Sequence, residues 1–202
     1  MAAIIVGFIF GFAGSMPVAG PIAVLVFSRA VALRYATGLR IAIGAAVSEG
    51  IYAGLAYWGV SELFERHPYI IPASRLVAAA IMMLLGAKLF LRPPRPSATE
   101  ELRGRKRALL LGFTISAVNP TLIATYTVVV AMLLGTGLIE IEAWHSLLFG
   151  GAAALGTIAW FASLLIMVRR YRSQLSPETL PRLVKIMGAA LVVTGLVFAL
   201  GS

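Results

Sequence analysis

Six apolar stretches, each near the length needed to cross a bilayer, occupy almost the whole of this chain. They run over roughly 3–27, 39–60, 70–91, 108–134, 146–168 and 183–200. A helix needs about 20 apolar residues to traverse a hydrocarbon core about 30 Å thick. With 60% hydrophobic residues and a mean hydropathy of +0.94, the chain falls among polytopic helical membrane proteins. The longest polar interval, Arg92 to Arg107, is too short to build a soluble core of its own. The expected fold class is therefore all-α, a polytopic membrane protein with six transmembrane helices in a single membrane domain, residues 1–202.

Charge orients that domain. The loops after spans one, three and five hold fifteen of the seventeen Lys and Arg residues, and the loop after span four holds none. Positive charge marks cytoplasmic loops, so the odd loops are expected inside and both termini outside. Acidic residues accompany the outer loops: Glu62 and Glu65 in the second, Glu140 and Glu142 in the fourth. The net charge of +9 thus reports orientation, with no nucleic-acid partner implied. No Lys or Arg precedes span one, and its apolar run is long for a signal-peptide core, so it is expected to remain in the mature protein. No cysteine is present, which removes disulfides and thiolate metal sites.

The connector 92–107 begins as a proline-rich spacer and divides the chain into repeat one, about 1–91, and repeat two, about 108–202. Three spans is an odd number, so two such halves lie in opposite orientations: six helices as two inverted three-helix repeats. Gly11-Phe12 leads to Pro17 and Pro21 in the first half, and Gly112-Phe113 leads to Asn119-Pro120 in the second. A helix broken in matching places of two inverted halves points to a transporter with its site at the midplane.

Pro17 and Pro21 lack an N–H, which deprives the carbonyls of Ala13 and Pro17 of their normal helical partners. Backbone groups freed at membrane depth are tolerated only where protein, water or a solute satisfies them. Gly20-Pro21 and Asn119-Pro120 both read as a cap followed by the start of a half-helix.

Glu49 is the single acidic residue inside a span. It lies about 16 Å from the cytoplasmic end of span two at 1.5 Å per residue, at the same depth as Pro17 and Asn119. A carboxylate there is costly unless protonated, paired or hydrated, and no Lys or Arg lies near the middle of a span to pair with it. Glu49 is accordingly the candidate proton-coupling group; the alternative is a neutral Glu hydrogen-bonded to Ser, Thr or Asn neighbours that holds helices together. Its helix face, Ala42, Ala45, Ala46, Glu49, Tyr52, Ala53 and Ala56, is small enough for another helix to pack closely and turn the carboxylate inward. The candidate substrate-binding residues are Ser15, Pro17, Gly20, Pro21, Glu49, Tyr52, Ser116, Asn119 and Pro120. Two positive helix ends near one carboxylate suit a zwitterion.

Trp160 is a further candidate for lining a cavity, while Tyr57, Trp58, Tyr69 and Trp144 read as an aromatic belt at the outer interface. Small residues seven apart in spans three and six, Ala79 with Gly86 and Gly188 with Gly195, are open to two readings, intramolecular packing or a homodimer face.

The chain resembles the lysine exporter superfamily, the LysE/RhtB-type amino-acid efflux proteins. The resemblance rests on Gly14-Ser-Met-Pro-Val-Ala-Gly-Pro21, the Arg-rich loop to Gly38, Gly44-Ala-Ala-Val-Ser-Glu49-Gly-Ile-Tyr52, and Gly112-Phe-Thr-Ile-Ser-Ala-Val-Asn119-Pro120. It implies export of small amino acids or related metabolites from the bacterial cytoplasm across the inner membrane, by a secondary transporter working as a proton antiporter. The chain departs from the family's Pro-Gly-Pro break, because Val-Ala separates Pro17 from Gly20-Pro21, and Ile22 and Ala23 stand where an Asn is common. Expected partners are a small-molecule substrate and membrane lipids, with no cofactor. Alternatives are a metal or inorganic-cation exporter, disfavoured by one carboxylate, no cysteine and no buried histidine, a membrane enzyme lacking an evident nucleophile and base, and a non-transporting scaffold.

Overall fold

The computed structural model describes residues 1–16, 20–58, 80, 83–91, 104–119, 121–135, 143–171 and 179–200. These form eight α-helices and no strand: α1 (Ala2–Gly14), α2 (Pro21–Val31), α3 (Tyr35–Tyr57), α4 (83–91), α5 (Arg105–Ala117), α6 (Thr121–Gly135), α7 (Ala143–Tyr171) and α8 (Thr179–Leu200). The helices α3 and most of α7 are long and apolar enough to cross a membrane. The candidate residues Pro17 and Pro120, and most of the second loop, the third span and the connector, lie outside the described residues.

Two stretches that hydropathy alone would draw as single spans are each divided. The first is α1 and α2, of 13 and 11 residues, and the second is α5 and α6, of 13 and 15. At 1.5 Å per residue α1 is about 20 Å long and α2 about 16 Å, so neither spans the hydrocarbon core alone. Gly20 in extended conformation is the N-cap of α2 and Pro21 its first residue, where a missing N–H costs nothing.

Between α2 and α3 the chain turns sharply. Leu33 adopts φ 65°, its amide donates to Ala30 O, and the Arg34 amide donates to Arg29 O. This is the paired bonding of a helix C-terminal motif that normally uses glycine. Because the turn is so tight, Arg29, which the span limits 3–27 and 39–60 leave in a loop, belongs to α2.

The helices α3 and α7 form the centre and pack on each other; α1 lies along α7 and α5 lies along α3. Two of these pairs make the same contact. A Cβ on Gly11 would collide with the Ala153 carbonyl, and one on Gly156 with the Phe8 carbonyl and the Phe12 amide. A Cβ on Gly112 would collide with the Ile41 carbonyl, and one on Gly44 with the Leu109 carbonyl and the Phe113 amide. Phe8, Gly11 and Phe12 map onto Leu109, Gly112 and Phe113 by adding 101, and Ile41 and Gly44 onto Ala153 and Gly156 by adding 112. Backbones meet directly at both crossings, as small residues allow in membrane helices.

The glycine seam of the third and sixth spans is also internal where described. A Cβ on Gly188 of α8 would lie 2.9 Å from the Gly86 carbonyl of α4. At the α3–α7 crossing, Phe149 is fully buried and meets the rings of Tyr57 and Tyr126 at 5.4 and 6.2 Å. Tyr57 therefore belongs to the core, a correction to its reading as a belt residue. Trp58 and Trp144 are exposed.

Candidate functional site

The two helix breaks open onto one cavity of about 130 Å³. From the first break come Gly14, Ser15, Gly20, Pro21 and Ile22, and from the second Ser116, Asn119 and Leu122. Between them stand Ala45 and Glu49 of α3 and Phe161 of α7. Six of the nine candidate residues, Ser15, Gly20, Pro21, Glu49, Ser116 and Asn119, thus lie around a single space. The lining contains no Lys, Arg or His.

Glu49 is held at both oxygens. Thr157 Oγ1 donates to Oε2 at 2.8 Å, and the Tyr126 hydroxyl reaches Oε1 at 3.3 Å. Thr157 in turn meets Ser15, whose Oγ lies 3.2 Å from Thr157 Oγ1 and 2.7 Å from the Gly11 carbonyl oxygen. Thr157 Oγ1 is also 3.3 Å from that carbonyl. Glu49, the middle of α7 and the end of α1 therefore share one hydrogen-bonded chain. A carboxylate inside an apolar helix bundle is tolerable on these terms, because hydrogen bonds from neighbouring helices replace those lost from water.

Two expectations require correction. Tyr52 does not line the cavity; its hydroxyl donates to the Ala117 carbonyl at the end of α5. The backbone explains this role: α5 stops at Ala117, so that carbonyl lacks a continuing helix to bond it. Trp160 is likewise absent from the lining and meets Phe12 edge-on at 5.6 Å. The Ala13 carbonyl, deprived of its usual helical partner by Pro17, accepts the Met16 amide at 3.1 Å.

Compared with known families, the chain matches a LysE type translocator model over residues 12–202. The chain belongs to the LysE type translocator family. No curated protein and no solved structure gives a match. Membership makes this a membrane protein of a translocator family rather than of an enzyme family.

In this LysE-type translocator the residues that sequence reading missed are Thr157, Tyr126 and Phe161. Thr157 is the one hydroxyl residue in the run Gly150-Gly-Ala-Ala-Ala-Leu-Gly-Thr-Ile-Ala159, a polar side chain at a close helix crossing. That was the available signal. Tyr126 and Phe161 carried none, since an aromatic residue in an apolar helix is equally a packing residue.

Proposed function

We propose that this translocator exports small amino acids or related small zwitterions from the bacterial cytoplasm in exchange for protons, with Glu49 as the coupling group. The observation that carries the reading is the meeting of Glu49 with both helix breaks at one cavity. An ionised Glu49 would hold a substrate ammonium; the amide ends of α2 and α6 would face its carboxylate. Protonation of Glu49 removes the attraction and lets the substrate leave, so one group serves cation and proton in turn. The cavity of about 130 Å³ has room for several water molecules, which suits a small solute.

The architecture proposed with this function is six spans in two inverted three-helix repeats, with both termini outside. The reciprocal crossings of α1 on α7 and α5 on α3, each with its own constant offset, support it. A midplane site between inverted halves is the geometry expected of alternating access.

The test is proton-driven accumulation of radiolabelled alanine, serine, threonine and leucine in everted membrane vesicles. Wild-type protein should accumulate at least one of them when a pH gradient is imposed, and Glu49→Gln should abolish the response to the gradient. Accumulation by Glu49→Gln equal to wild type would remove Glu49 from the coupling role. Accumulation of none of the four by wild type would overturn the amino-acid reading.

A further inference from the structure

We propose that Thr157 is a positioning residue that passes the protonation state of Glu49 to the broken end of α1. The inference rests on Glu49 being the proton-coupling group and adds how its titration would reach the backbone.

The argument is a count of protons. A threonine or serine hydroxyl has one hydrogen to donate and lone pairs to accept. Thr157 Oγ1 has two acceptors in reach, Glu49 Oε2 at 2.8 Å and the Gly11 carbonyl at 3.3 Å. Ser15 Oγ also has two, the same Gly11 carbonyl at 2.7 Å and Thr157 Oγ1 at 3.2 Å. When Glu49 is ionised it only accepts, and a bond to a charged acceptor is the stronger one, so the Thr157 hydrogen goes to Oε2. The Gly11 carbonyl then keeps Ser15 as its sole hydroxyl donor. When Oε2 carries a proton it becomes the donor across the same 2.8 Å, Thr157 accepts, and the Thr157 hydrogen turns to the Gly11 carbonyl. That carbonyl has two lone pairs and now holds two hydroxyl donors.

Protonation of Glu49 thus adds one hydrogen bond between α7 and the last turn of α1, three residues before that helix ends at Gly14. Deprotonation removes it. The exchange requires no movement of the helix axes, which are locked where Gly11 meets the Ala153 backbone. The element biased is Gly14-Ser15-Met16, of which Gly14 and Ser15 line the cavity. Among the described residues, the other titratable group facing Glu49 is Tyr126 of α6, and α1, α2, α5 and α7 present none to the cavity.

The chain has no cysteine, so Met16→Cys supplies a unique thiol on an exposed side chain just past α1. The rate of its alkylation by a maleimide is measured on the purified full-length protein at one pH, in a double-mutant cycle. Glu49→Gln, with an amide that donates as the protonated acid does, should change the rate by roughly three- to tenfold, the size of one net hydrogen bond. In the Thr157→Val background that change should vanish, and in Thr157→Ser it should persist. Ser15→Ala, a milder variant, should enlarge the Glu49 effect, because the Gly11 carbonyl then changes from no hydroxyl donor to one. An effect of Glu49→Gln that is the same with Thr157→Val as without it, or absent from the start, would overturn the proposal. Loss of gradient response in Glu49→Gln vesicles alongside an uncoupled Thr157 leaves the proton-coupling reading standing; unaltered gradient response removes that reading and this inference together.

Discussion

Thr157 Oγ1 stands 2.8 Å from Glu49 Oε2, joining the middle of α7 to the middle of α3. Tyr126 holds the other oxygen at 3.3 Å. The two bonds differ in length, and their removal should differ in consequence. Tyr126→Phe should lower gradient-driven export by roughly two- to tenfold, the worth of one modest hydrogen bond, with the dependence on pH retained. Glu49→Gln should leave residual exchange flat across the pH range in which wild-type export varies. Initial rates in proteoliposomes, taken over a series of internal pH values, separate these outcomes.

The glycine crossings should be intolerant of a single methyl group. Gly112→Ala places a Cβ against the Ile41 carbonyl, and Gly11→Ala places one against the Ala153 carbonyl; in both the obstacle is backbone. Each should destabilise by about 1–3 kcal/mol or more, the usual cost of overpacking. Gly151 is exposed, with open space where a Cβ would point, so Gly151→Ala should be neutral or slightly stabilising. Thermal unfolding of the three variants in detergent checks the contrast, and equal losses would contradict the reciprocal crossings.

Tyr52→Phe removes the donor to the Ala117 carbonyl at the end of α5. A carbonyl stranded inside a helix bundle costs about 1–2 kcal/mol. The variant should melt earlier than wild type while binding substrate with nearly unchanged affinity, because Tyr52 lies outside the cavity lining. A large loss of affinity with unchanged melting would return Tyr52 to the site.

Phe161 is the residue of α7 that lines the cavity among those described. Phe161→Ala should widen the space and shift preference toward longer apolar side chains. In a thermal-shift titration leucine should gain on alanine, since a ligand that binds only the folded state raises the melting temperature. Each methylene accommodated in an apolar pocket is worth about 1–3 kcal/mol. An unchanged order of ligands would place the substrate side chain elsewhere.

Much of the site was legible because its signals are local. Pro21 after Gly20, Asn119 before Pro120, and a carboxylate alone in an apolar span each violate what a lipid-facing helix allows, and each violation is visible in a few consecutive residues. The roles of Tyr52 and Tyr57 were not legible. An aromatic residue on an apolar helix packs, caps or lines a cavity according to what lies across from it. Tyr52 finds the Ala117 carbonyl, 65 residues away in the chain, and Tyr57 finds Phe149.

Hydropathy and the two proline breaks by themselves determined that this is a helical membrane chain with two interrupted helices, because burial of backbone polar groups in lipid permits little else. Tertiary structure alone decided which helices touch. The crossings of Gly11 on Ala153 and Gly112 on Ile41 bring α1 to α7 and α5 to α3. The first of these, together with the packing of α3 on α7, places Thr157 against both Ser15 and Glu49. Hydrogen bonds between residues more than a hundred positions apart depend on helix register to within an ångström or so, and register is a property of packed surfaces rather than of any one segment.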